Sequence, residues 1–221
     1  MTGFFRPIVA GAEWPARLIA CVGAAIGIAL TIVACAQVPP SIADLPIIVA
    51  PLGASAVLVF AVPASPLAQP WPVVGGNVVS TLVGVSAFHL IPDTTLAAGA
   101  AVGAAILAMS LLRCLHPPGG AAALTAVIGS QGIHAAGYAF AVAPVGINSI
   151  ALVALGVAWH RMTRRSYPHR APPPAAPTQA GIHLVDIDAA LAEMHEGFDI
   201  SREDLDALLS RAQVHAQARR Q

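Results

Sequence analysis

Residues 94 to 130 read TTLAAGAAVGAAILAMSLLRCLHPPGGAAALTAVIGS, with Arg113 as the one formal charge. From Thr94 to Arg113 the chain is apolar for about twenty residues, the length a helix needs to cross a hydrocarbon layer of about 30 Å. Arg113 closes that run, and Pro117, Pro118, Gly119 and Gly120 open a second one. Proline in a first helical turn sacrifices no hydrogen bond, because the early N–H groups of a helix lack partners anyway. The stretch predicts a membrane-crossing helix followed by a helix that starts abruptly.

The same texture extends in both directions. Between Leu18 and His160 the formal charges are Asp44, Asp93 and Arg113 alone, and the rest lie towards the two ends of the chain. Overall 57% of residues are hydrophobic and 10% charged, whereas a soluble domain carries roughly 25% charge; the mean hydropathy is +0.73. An ordinary water-soluble globule is excluded, and the lipid bilayer is the expected surrounding. With net charge +0 and no Lys, the basic footprint of a nucleic-acid partner is missing. Cys21, Cys35 and Cys114 sit in or beside apolar runs. Cys21 and Cys35 would stand roughly 21 Å apart along one helix, too far for a disulfide, so the cysteines read as small apolar residues.

Apolar runs bounded by Pro, Gly or charge fall at 17–36, 46–62, 72–91, 94–113, 118–134 and 137–160, which predicts an all-α membrane protein built as a six-span helical bundle. The second and fifth runs are short and open with Pro and Gly, which suits either a thin full span or a broken, partly re-entrant helix. Arg prefers cytoplasmic flanks. Six crossings put Arg6, Arg17, Arg113, Arg161, Arg164 and Arg165 on that side and Asp44 and Asp93 outside. The expected location is a bacterial inner membrane, and the Arg placement puts both termini on the cytoplasmic side.

The two halves also look alike. Gly23 and Gly27 match Gly99 and Gly103, Pro51 to Ala56 matches Pro118 to Ala123, and Asn77 and Gly84 match Asn148 and Gly156. With three spans per half the second copy is inverted, a 3+3 repeat. The chain divides into a membrane body (1–165), a stiff Pro-rich linker (166–180) and a short cytoplasmic helical hairpin (181–221). In the hairpin, Ser201 with Asp204 three residues on resembles a helix-capping box.

Chemistry concentrates at His116, Pro117, Pro118, Gly119 and Gly120. Glycines strip side chains from a first turn whose unpaired N–H groups and dipole favour an anion, and His116 adds a donor, or a charge when protonated. Gly53, Ala54 and Ser55 open the second span from the other face. Asn77, Asn148, Gln69 and Arg113 are the expected pore-lining or vestibule residues, although Asn77, Asn148 and Ser149 more often serve as interhelical hydrogen-bonding glue and Arg113 as a cytoplasmic anchor. Trp14, Trp71 and Trp159 fit interfacial belts, and His89 and His134 fall near helix ends.

Three ordered strings carry a resemblance: Pro51-Leu52-Gly53-Ala54-Ser55-Ala56-Val57, Ser65-Pro66-Leu67-Ala68-Gln69-Pro70 with Gly75-Gly76, and the run from His116 to Leu124. Over roughly residues 14 to 165 the chain resembles the HPP family of integral membrane proteins, so named for a tripeptide present here as His116-Pro117-Pro118. That family is usually described with four spanning helices, which differs from six unless the short runs go unscored. Its plant chloroplast and cyanobacterial relatives are associated with nitrite transport. Many bacterial members carry CBS domains after a helical linker. No CBS sequence precedes Gln221, so nucleotide regulation is not expected of these residues.

The function expected is a transporter or channel for a small inorganic anion, nitrite by resemblance, held at helix starts without a buried Arg. A membrane sensor or scaffold anchoring a regulatory tail stays open, as does a channel for another small solute. No paired intramembrane carboxylates, metal-spaced Cys/His cluster or Ser/His/Asp arrangement appears in the sequence, so neither an enzyme, a cofactor nor a metal is expected. The abundance of small-residue faces points towards a homo-oligomer. In a background lacking the native cysteines, a single cysteine at position 67 should be labelled only from the cytoplasm, and cysteines beside Asp44 and Asp93 only from outside. Outside labelling at 67 would overturn the six-span topology.

Overall fold

The computed structural model describes residues 14–37, 45–172, 182–194 and 199–219. Their regular elements are all helical: α1 (Trp14–Cys35), α2 (Pro51–Ala61), a 3-10 turn (Pro66–Ala68), α3 (Pro70–Leu90), α4 (Thr94–Leu111), α5 (Pro117–Ile128), α6 (Gln131–Ala136), a π turn (Ala141–Gly146), α7 (Ile147–Met162), α8 (Leu184–Met194) and α9 (Arg202–Ala218). Among the described residues four segments are long and apolar enough to cross a membrane: α1, α3, α4 and the kinked stretch Ala141–Met162. With 11 residues in α2 and 12 in α5, each is about 17–18 Å long at 1.5 Å per residue. Neither crosses a layer of about 30 Å alone.

Local chemistry sets these boundaries. Proline stands at the start of α2, α3 and α5, where its missing N–H costs nothing. Asp93 caps α4 by accepting the Leu96 N–H at 2.8 Å. The run expected at 118–134 is divided: α5 stops at Gly129, and Ser130 caps α6 by accepting the Ile133 N–H. The run expected at 137–160 is also interrupted. Gly137 ends α6 at φ 52, and Ala143 leaves helical geometry just before Pro144, whose ring and missing N–H disfavour an uninterrupted helix. Beyond the body, Ser201 accepts the Asp204 N–H at 3.0 Å and starts α9, and an Arg202–Asp188 ion pair links α9 to α8.

Burial follows the logic of a bilayer. Leu18, Val22, Ile26 and Leu30 of α1 and Leu96, Ile106, Leu107 and Leu111 of α4 are exposed, a surface that water would penalise and lipid accepts. Inside are Ser55, Asn77, Ser80, Thr81, His116, Asn148 and Ser149, all fully buried. Helix α3 is central, packed against α4, α5, α7 and the π turn, while α1 packs on α2 and α7. Ala97, Ala101, Ala105 and Met109 form the buried stripe of α4 at four-residue spacing, a ridge shallow enough for close helix approach.

Glycines mark the tightest seams. A Cβ on Gly27 would come 2.4 Å from Phe60, and one on Gly84 would come 2.3 Å from the Ala123 carbonyl oxygen. Gly99 and Gly103 face open space, with nothing within 4 Å of such a Cβ. The two equally spaced glycine pairs therefore differ: Gly23 and Gly27 pack inside the chain, and Gly99 and Gly103 point away from it. Gly84→Ala should cost about 1–3 kcal/mol, because the Ala123 backbone cannot yield as a side chain would. Gly103→Ala should be neutral or stabilise by up to about 1 kcal/mol. Reversible unfolding in detergent measures both, and equal effects would contradict this packing.

Candidate functional site

Helix α5 begins deep against its neighbours. His116, its N-terminal flanking residue, is extended (φ −140, ψ 109), as a residue preceding proline prefers to be. A Cβ on Gly76 of α3 would lie 2.6 Å from the His116 Cβ and 2.7 Å from the Cys114 carbonyl oxygen. Only glycine lets α3 run past the entry to α5 at this distance. The His116 ring, fully buried, then reaches two other segments. Nδ1 lies 2.9 Å from the Leu67 carbonyl oxygen and Nε2 lies 2.8 Å from Ser55 Oγ.

A carbonyl accepts and never donates, so Nδ1 carries the hydrogen. In the neutral ring Nε2 is then an acceptor, and the Ser55 hydroxyl donates to it. Ser55 Oγ also accepts from Asn77 Nδ2 at 3.3 Å, and Asn77 Nδ2 donates again to Ser149 Oγ at 3.2 Å. Ser149 passes its own hydrogen to the Val145 carbonyl at 2.8 Å. One chain of hydrogen bonds thus joins α2 through Ser55, α3 through Asn77, the α4–α5 connection through His116, and α7 through Ser149. No residue in it is formally charged.

Two buried atoms at this centre have no partner among the described residues: Asn77 Oδ1 and Ser80 Oγ. They belong to residues three apart on α3, which share a helix face. Ser80 Oγ is directed at the start of α5, since a Cβ on Gly119 would come 2.7 Å from it and 2.8 Å from Met109 Sδ. Unsatisfied buried polar groups are uncommon and costly, more so where lipid replaces water.

The helix starts themselves offer few free donors. Pro117 and Pro118 have no N–H, and the Gly119 N–H donates to the His116 carbonyl at 2.8 Å. Gly120 is partly exposed, with Val102 3.9 Å from a Cβ placed on it. At α2, the Leu52 and Gly53 N–H groups donate to Val49 and Ala50. Gly53 and Ala54 are exposed and point away from Ser55.

Of the residues singled out in the sequence, Ser55, Asn77 and His116 converge, with Gly119 against the same centre. Asn148 belongs to a separate clamp. Its Oδ1 accepts the Val49 N–H at 3.1 Å, and its Nδ2 donates to the Ile47 carbonyl and to Cys35 Sγ, each at 3.0 Å. That clamp fixes the lead-in to α2. Arg113 is exposed at φ 54, beyond the end of α4.

Gln69 organises the loop between α2 and α3. Its amide donates to the Pro63 and Ser65 carbonyls, and its Oε1 accepts the His169 N–H at 2.9 Å. The tail meets the same loop where Ser65 donates to Asp199 at 2.7 Å, and it meets the segment after α7 where His169 Nε2 lies 2.8 Å from Asp204. Burial pushes the Asp204 carboxyl up, but hydrogen bonds from Ser201 and His169 and the His169 charge outweigh it and hold the group below the usual carboxylate range.

Sequence reading missed Ser80, whose one signal is its position three residues after Asn77. It also missed His160, which donates from Nε2 to the Val59 carbonyl at 2.8 Å and lies between Phe60 and Tyr167. That histidine carries no pattern in the sequence beyond its place near the end of an apolar run.

Comparison with known proteins follows the same boundaries. The model of the HPP transmembrane region matches residues 10–168. A transmembrane protein of Dictyostelium discoideum is 37% identical over 120 residues, covering 52% of this chain and 38% of that protein. A second transmembrane protein of the same organism is 33% identical over 131 residues, covering 57% of this chain and 46% of its own length. The chain thus spans less than half the length of either relative. No solved structure matches it.

Proposed function

We propose, from the premise that this chain belongs to the HPP transmembrane-region family, that its body is a transporter or channel for a small inorganic anion, with nitrite the first solute to test. The observation carrying this reading is the uncharged hydrogen-bonded centre of Ser55, Asn77, His116 and Ser149, with Asn77 Oδ1 and Ser80 Oγ left unpartnered beside it. Polar atoms are expensive inside a membrane protein and concentrate along solute paths. A site without a fixed charge binds weakly, which suits release as well as entry.

In this reading the chain crosses six times. Helices α2 and α5 enter from opposite faces as half-helices, and both termini with the Pro63–Gln69 loop are cytoplasmic. An inverted repeat pairs α1, α2 and α3 with α4, α5 and the Ala141–Met162 segment. It draws support from packing: α1 lies on α2 and α7 as α4 lies on α5 and α3. Asn148 clamps the lead-in to α2, and Gly76, next to Asn77, abuts the lead-in to α5. A regulatory tail is a second reading, favoured by the Ser65–Asp199 and Gln69–His169 contacts with the loop that also holds His116.

Purified protein in vesicles should move nitrite above the rate of protein-free vesicles and in preference to sodium or potassium. Asn77→Ala should lower that flux about tenfold, the effect of losing roughly 1.4 kcal/mol of hydrogen bonding along the path. Absence of any protein-dependent anion flux would overturn the proposal and leave the sensor reading.

A further inference from the structure

Resting on the transport reading, we infer that the solute passes the buried centre as a neutral acid carrying its proton, with Asn77 Oδ1 and Ser80 Oγ as the groups that hold it. The argument begins from what the unpartnered atoms can accept. Asn77 has already committed its Nδ2 to Ser55 and Ser149. What it turns to an arriving molecule is an amide oxygen, an acceptor with partial negative charge. A bare anion is repelled by that oxygen, whereas an acidic O–H donates to it. Ser80 Oγ supplies the complementary partner, a hydroxyl that donates to the second oxygen of the same molecule.

Charge points the same way. Among the described residues no Arg approaches this centre: Arg113 is exposed, Arg161 is exposed in the last turn of α7, and Arg164 and Arg165 follow that helix. The helix start that would otherwise attract an anion has two prolines without N–H and a Gly119 N–H already bonded to His116. An ion stripped of water with no countercharge is far costlier than a neutral molecule of the same shape. The titratable side chains nearby are His116 and Cys114, both from the α4–α5 connection. Helix α2 contributes Ser55, α4 Met109, α7 Ser149 and the π turn Val145, none of which changes charge.

The balance is simple. An anion takes one proton from bulk water before entry, crosses as the acid, and returns that proton to water on exit. No bond other than O–H forms or breaks, and one proton moves with each molecule in the same direction.

The test uses full-length protein in vesicles containing a pH dye, with the membrane potential set by potassium and valinomycin and sodium nitrite as the probe. All rates are taken above protein-free vesicles. The inference expects the lumen to acidify by one proton per nitrite and the rate to ignore a clamp of about 100 mV, which would alter the crossing of a bare anion several-fold. At fixed total nitrite the rate should rise towards about tenfold for each unit of pH lowered between 8 and 6, following the fraction of acid in water.

Ser80→Ala removes an unsatisfied hydroxyl without adding bulk, so the fold should keep its thermal stability while the flux falls about three- to tenfold. Voltage-dependent nitrite entry without acidification overturns the inference and leaves the transporter reading standing. No protein-dependent nitrite movement overturns both. Unchanged flux in Ser80→Ala overturns the assignment of that hydroxyl.

Discussion

The fold turns on how two helices too short to cross a membrane alone are held among four segments that are long enough. Helices α2 and α5 carry 11 and 12 residues, well short of a full span, and each opens on a proline among tightly packed neighbours, where buried backbone groups need protein partners. The hydrogen bond between Ser55 Oγ and His116 Nε2 ties these two helices together. Leu67, accepting from the other ring nitrogen, fixes which nitrogen carries the hydrogen and anchors the pair to the loop before α3. Tautomer, helix register and loop position are thus set by one imidazole. Its place depends in turn on Gly76, where any side chain would push α3 off the His116 backbone.

From that link the polar interior spreads in one direction and the packing in another. Asn77 extends the hydrogen bonding to Ser149 and α7, while Gly84 and Gly119 let α3 and α5 meet without intervening side chains. The separate Asn148 clamp does for the entry to α2 what Gly76 and His116 do for the entry to α5. The outer surface is left to leucines and isoleucines of α1 and α4, which lipid covers. Polar groups inside and apolar groups outside is the distribution expected where lipid replaces water.

Much of this was legible because hydropathy and proline are strong local signals. The long helices follow from run length, and the abrupt starts of α2 and α5 from Pro51 and Pro117. Other features depend on partners that spacing does not reveal. Gly23 and Gly27 have the same separation as Gly99 and Gly103, yet only the first pair meets Phe60 and Trp159. Ser55 and His116 stand in recognisable strings, but their contact over 61 residues is a tertiary fact. Gly53 and Ala54 share a string with Ser55, and helical rotation turns them outward. Ser80 was hidden because a lone serine in an apolar helix usually bonds back to its own backbone, as Ser86 and Ser110 do here. The breaks at Gly129 and Ala143 interrupt runs whose hydropathy is continuous, so capping and proline geometry decided them rather than composition.

The claim that the Ser55–His116 bond couples the two short helices is open to a double-mutant cycle. Ser55→Ala, His116→Ala and the double variant would be compared by reversible unfolding of the purified protein in detergent or bicelles. The account predicts a coupling of about 1 kcal/mol, within the range of interhelical hydrogen bonds in membrane proteins. Additivity within about 0.3 kcal/mol would contradict it, because the two side chains would then stabilise their helices independently.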